Sequence, residues 1–120
     1  MSYPARTLFV FSGYLLAIGL ILLIVPNQLF GLFQIPATSE VWIRVVGMLT
    51  LFLCTYYFVA ARAELLPFFV WSVRVRASMF LFCIGFILLG LAPRALLLFG
   101  LADLAGAIWT WSALRQYSRP

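Results

Sequence analysis

The 120-residue chain has no histidine and no lysine, only three acidic residues, and charged side chains amount to 9% of it. Each shortage excludes something. Without imidazole there is no haem or zinc ligand of the histidine kind and no histidine general base. Ordinary soluble domains carry roughly 25% charged residues, so the chain lies far outside that class. The two cysteines, Cys54 and Cys83, each fall inside an apolar run and form neither C-x-x-C nor any metal-ligand spacing. They read as small buried hydrophobes, and no metal site is expected. The eight arginines give a net charge of +5. Nucleic-acid binding would need them gathered on a solvated face, whereas they stand singly or as one close pair at the ends of apolar runs. No nucleic-acid partner is expected.

What remains is a chain that is 66% hydrophobic. A soluble fold needs polar surface on every element, and most segments here have none. In lipid that conflict disappears, provided the backbone satisfies itself within helices. A helix needs about 20 residues to cross the hydrocarbon. Four apolar runs meet the requirement, over 7–25, 41–61, 73–91 and 95–114. The expected fold is all-α, an antiparallel integral-membrane four-helix bundle occupying a single transmembrane domain over 1–120. The first run follows Arg6, is long for a signal h-region and is not followed by a small-residue cleavage site. It reads as a retained span.

The arginines set the orientation. Arg6, Arg62, Arg74, Arg76, Arg115 and Arg119 fall on one side, six against the two on the other, Arg44 and Arg94. The positive-inside rule places both termini and the middle connection in the cytoplasm, and the expected location is a bacterial inner membrane. Between the first two runs lies an apolar connection, Leu29, Phe30, Leu32, Phe33 and Ile35 broken by Gly31 and Pro36, which suits the headgroup interface or the mouth of the bundle. The middle connection, 62–72, carries Phe68, Phe69 and Trp71 beside Pro67 and reads as interfacial. Trp109, Trp111 and Tyr117 at one face of the membrane, and Trp42 at the other, read as aromatic belts. Around Pro93 and Arg94 a tight turn makes the last two spans neighbours.

Asp103 is the residue most at odds with its surroundings. It lies nine positions into the last run, where an unpaired carboxylate facing lipid costs about 2.5–3.5 kcal/mol. Gly100, Gly106, Ala107 and Thr110 share its face, a small and weakly polar stripe that lets helices approach. Asp103 therefore points into the bundle. Arg44 is the expected partner, with Glu40 four residues before it as competitor or third member of one cluster. A second stripe, Gly47, Thr50, Cys54 and Tyr57, recurs at steps of three and four. It reads as a helix–helix interface, or as the wall of a polar cavity shared with Asp103. Val45, Leu49, Phe52 and Val59 on the other face suit lipid. Arg74 and Arg76 are two apart and cannot clamp one anion from a single helix; both are expected to snorkel to lipid phosphate.

Pro26, Gly31, Pro36, Arg44 and Gly47, followed by Pro93, Leu98-Phe99-Gly100, Asp103 and the run Gly106-Ala107-Ile108-Trp109-Thr110, resemble small bacterial tetraspan proteins of the DoxX-like group. The resemblance covers about 90 residues. It implies a compact four-helix membrane fold, sometimes associated with quinone-linked oxidoreductases, with Arg44 and Asp103 as landmarks. The small multidrug transporters are similar in length, but they rely on a glutamate in the first span, where this chain has Ser12 and Tyr14 and no acid.

The candidate polar cluster is thus Asp103, Arg44, Glu40, Thr50, Tyr57 and Thr110, with Gly47, Gly100 and Gly106 as helix-packing positions and no catalytic residue. The expected role is non-enzymatic: binding an apolar ligand such as a lipid or quinone, or supporting a partner membrane complex. The alternative is a small oligomeric transporter using Asp103 as a polar or protonatable site, and an enzyme ranks third. Membrane lipids, a second copy of the chain or a partner membrane protein are the expected company. No resident cofactor is expected beyond such a lipid or quinone.

Overall fold

Ser2 opens the first helix. Its hydroxyl accepts from the Ala5 N–H at 3.3 Å, and Pro4 sits in the first turn, where a missing N–H costs nothing. From there α1 runs Tyr3–Ile24. The computed structural model describes residues 1–117, which form five helices. After α1 come α2 (Pro26–Leu32), α3 (Trp42–Arg62), α4 (Leu66–Leu88) and α5 (Leu96–Tyr117). Four of them, all but α2, are long and apolar enough to cross a membrane, and the chain reads as a multi-pass membrane protein. Arg119, counted above for orientation, lies outside the described residues.

Two expectations are corrected. The connection expected to be an apolar loop contains a helix, α2, begun by Pro26 and stopped at Phe33. Asn27 fixes the loop after it, donating to the Thr38 carbonyl at 3.0 Å and accepting from the Thr38 N–H at 2.8 Å. Phe33 then meets Phe99 of α5 edge-on at 5.5 Å. The middle connection, expected over 62–72, shrinks to Ala63–Leu65, because α4 begins seven residues earlier than the hydropathy boundary. Pro67 starts that helix rather than interrupting it. The shift moves Arg76 from a first turn to about 15 Å along α4.

The N-terminus is tied to this short connection. The Ser2 N–H and hydroxyl donate to the two oxygens of Glu64 at 2.7 and 2.6 Å. Those bonds, the hydroxyl's first, hold the exposed Glu64 carboxyl below its ordinary range. At the far end, α4 finishes through Gly90, whose φ of +74° is the left-handed conformation a glycine adopts freely.

Packing is centred on α1, the most buried of the four long helices. It lies chiefly against α3 and, less extensively, against α5, while α4 packs on α5. The α1–α3 crossing is closest where Gly19 faces Gly47. A Cβ on Gly47 would stand 2.6 Å from the Leu23 nitrogen and 2.9 Å from the Gly19 oxygen. Farther along, the Cys54 thiol donates to the Ser12 carbonyl at 3.2 Å and Phe11 meets Tyr57 at 5.3 Å. Numbers fall on α1 as they rise on α3, so the two run in opposite directions. Cys83 against Gly100 and Arg76 against Thr110 show the same for α4 and α5. The apolar core, Ala5, Leu8, Phe11, Leu15, Tyr57, Ala60, Ala61 and Phe69, gathers at the end where α1 and α4 begin and α3 finishes.

Candidate functional site

Directly beside that core lies a buried polar centre, built around a residue expected elsewhere. Arg76 is only 3% exposed. It does not reach out to lipid phosphate, because its side chain turns inward from α4. Its Nε donates to the Ser72 carbonyl at 3.2 Å, and Nη2 donates to the Ser72 hydroxyl at 3.2 Å and to Thr110 Oγ1 at 2.8 Å. Thr110 is itself fully buried and shares a 2.8 Å hydrogen bond with Thr7 of α1. The guanidinium lies 4.6 Å from the centre of the Phe11 ring and 5.7 Å from that of Tyr57. Stacking on aromatic faces offsets part of the cost of removing a cation from water. Side chains from α1, α3, α4 and α5 thus meet at one arginine.

Asp103 is buried, as expected, and no hydrogen bond or ion pair joins it to Arg76. Arg76 Nη1 remains a buried donor with no acceptor in the structure. Gly106 makes room for it, since a Cβ there would stand 3.1 Å from Nη1 and 3.1 Å from the Phe11 ring. Two expected members of the cluster, Tyr57 and Thr110, meet at Arg76, and Asp103 is buried on the same helix as Thr110.

The other three do not. Arg44 does not pair with Asp103. Its Nη1 donates to the carbonyls of Leu23 and, at 3.2 Å, Ile24. Those are the last two residues of α1, so Arg44 caps orphan carbonyls and places positive charge at the negative end of the helix dipole. Glu40 is exposed, and its N–H donates to Thr38 Oγ1 at 3.1 Å. Thr50 returns its hydroxyl to the Val46 carbonyl at 2.8 Å, an intrahelical bond. Gly47 and Gly100 sit at close helix approaches, Gly100 with the Cys83 side chain about where its own Cβ would be in contact, at 3.2 Å.

Arg76 was missed because Pro67 and the aromatic run Phe68–Trp71 read as an interface. The available signal was Pro67 as a helix start. Counted from there, Arg76 falls deep in an apolar helix, with Ser72 one turn before it.

A second feature lies on the outside of the α4–α5 pair. A groove of about 630 Å³ runs between them, lined by Leu66, Val70, Val73, Arg74 and Ala77 of α4 and by Trp111, Leu114, Arg115 and Tyr117 of α5. The α4 residues recur at helical spacing on one face. Almost all of the lining is apolar, and the volume falls within the roughly 300–1,000 Å³ usual for small-molecule sites. Among the described residues no group of three His, Cys, Asp or Glu side chains could hold a metal ion. Known proteins offer no guide, as no protein-family model, characterised protein or solved structure matches the chain.

Proposed function

We propose that this is a non-enzymatic tetraspan protein of a bacterial inner membrane, an antiparallel bundle with cytoplasmic termini, that binds an amphiphilic ligand such as a lipid or quinone. The α4–α5 groove carries the reading. Its lining is apolar apart from Arg74 and Arg115, and its volume of about 630 Å³ suits one small molecule. An apolar chain leaving bulk lipid gains little from the hydrophobic effect, so selection there rests on fit and on the few polar groups at the edge. The DoxX-like resemblance is consistent with such a role, and with service beside a partner membrane complex. Native mass spectrometry after gentle extraction tests it. One lipid or quinone retained per chain is expected, and lost in Ala77→Trp, which fills the groove; a chain that emerges bare refutes it.

The buried acid favours a second reading, transport. Asp103 and the unpartnered donor of Arg76 form a polar centre within the spans, and intramembrane ionisable residues commonly mark ion or substrate pathways. Substrate-dependent proton uptake into proteoliposomes, abolished in Asp103→Asn, would establish it; no uptake in the wild type would exclude it.

A further inference from the structure

Three of the helices, α2, α3 and α4, end in the same way. The third residue past each one donates its N–H five positions back: Ile35 to the Phe30 carbonyl at 2.8 Å, Leu65 to that of Ala60 at 3.1 Å and Leu91 to that of Phe86 at 2.9 Å. This closure requires the residue just before the donor to be left-handed, with φ of +58° at Gln34, +54° at Glu64 and +74° at Gly90. Glycine takes that conformation without a steric penalty, whereas a residue with a Cβ does not. At Glu64 the side chain does something that glycine could not. Its two oxygens accept from the Ser2 N–H and hydroxyl at 2.7 and 2.6 Å, and Ser2 Oγ in turn accepts from the Ala5 N–H. One residue thus ends α3 and brings a carboxylate to the start of α1, where unsatisfied N–H groups and the positive end of the helix dipole favour it.

The turns of α1 that follow are buried, with Pro4, Ala5, Thr7 and Leu8 all inside. Thr7 gives its one hydroxyl proton to the Pro4 carbonyl at 2.7 Å. In the bond it shares with Thr110 it therefore accepts, and Thr110 donates. Thr110 accepts in its turn from Arg76 Nη2. The chain from Arg76 through Thr110 and Thr7 thus has a single direction and finishes on Pro4, in the first turn of α1 beside Ser2. We propose that Glu64 is a latch, which clamps the first turn of α1 to the end of α3 and so holds in place the helix start on which the hydrogen-bonded chain from Arg76 terminates. Its role is positional: glutamate stands at this turn for its reach to Ser2, against the backbone's preference for glycine.

Hydrogen exchange of the full chain in detergent, read by mass spectrometry, tests the latch. Glu64→Gly gives the turn its preferred residue and removes the carboxylate. Exchange over residues 6–10 of α1 is expected to quicken by about tenfold, with a smaller rise over 108–112 of α5. Gln34→Gly is the control, because the Gln34 side chain makes no hydrogen bond among the described residues, and it should leave α1 unchanged. Ser2→Pro suits the φ of −65° at Ser2 and deletes both donors to Glu64. It should quicken α1 at least as much, and Glu64→Gly should add nothing further to it. Unchanged exchange over 6–10 in Glu64→Gly, or effects of the two substitutions that add, overturns the latch. A rise confined to α1 overturns the link to the chain from Arg76.

Discussion

Replacing Gly47 with alanine should destabilise the protein more than the same change at any other helical glycine. The added methyl would sit 2.6 Å from the Leu23 nitrogen, 2.9 Å from the Gly19 oxygen and 3.0 Å from the Leu22 carbonyl carbon. Ordinary heavy-atom contact begins near ~3.5 Å, so α1 and α3 must separate by roughly 0.9 Å. All three obstacles are backbone, and no rotamer change removes them. A gap of that size forfeits about a quarter to a half of the dispersion energy of each contact along the crossing. Overpacking of this kind costs about 1–3 kcal/mol. Two internal comparisons sharpen the case. At Gly19 the nearest obstacle is the flexible Leu51 side chain, at 2.8 Å, so Gly19→Ala should cost less. At Gly13 and Gly85 nothing lies within 4 Å, and alanine there should be neutral or stabilising by about 0.5–1 kcal/mol through helix propensity. Unfolding of the four variants in mixed detergent micelles gives the order directly. If Gly47→Ala proves as stable as Gly13→Ala, the close α1–α3 crossing is wrong.

Further outcomes follow from the polar centre and from the N-terminal tie. Thr110→Val removes one of the two acceptors of Arg76 Nη2 and the partner of Thr7, and should lower stability by about 1–3 kcal/mol; thermal unfolding in detergent checks it, and an unchanged midpoint would contradict the network. A double-mutant cycle between Arg76→Gln and Asp103→Asn should show a coupling of about 0.5–3 kcal/mol, whereas Arg44→Ala with Asp103→Asn should be additive within ~0.5 kcal/mol. The reverse pattern would restore the Arg44–Asp103 pairing. Glu64 supplies a pH dependence. Its folded carboxyl is held low by Ser2, so its contribution is complete above the ordinary glutamate range near ~4.3 and is lost as pH falls through the depressed folded value. Melting midpoints of the wild type and Glu64→Gln should therefore differ at neutral pH and converge in acid, and a constant difference would argue against the tie.

The four long apolar helices were readable because a hydrocarbon environment imposes length and composition on every span. Helix ends were less so. Hydropathy averages over a window, and it placed the start of α4 at Val73 because Pro67 and the aromatic residues Phe68, Phe69 and Trp71 looked like an interface. The capping logic of Pro67 would have moved that start back to Leu66. Asp103, Thr110, Tyr57 and the three packing glycines follow from small or polar residues recurring on one helical face, a signal that periodicity carries. Pairing between helices is a different kind of information. Whether Arg44 or Arg76 comes near Asp103 depends on which helices adjoin, and single-helix patterns are silent on that. Here α5 adjoins α1 and α4, and Arg44 finds its acceptors at the end of α1 instead.

The central position of α1 bears on how the protein is made. It is synthesised before the other four helices, yet it contributes to both packed faces and to the arginine centre. Its partner α3 arrives next, so a half-protein held by the Gly19–Gly47 crossing can assemble before the rest is synthesised. Arg76 then enters with α4, able to reach Ser72 on its own helix but not Thr110, which arrives only with α5. Only delivery of the final helix links that cation, through Thr110, to Thr7 of α1. Docking of the α4–α5 hairpin onto a waiting α1–α3 pair is therefore the step at which biogenesis is most exposed to failure.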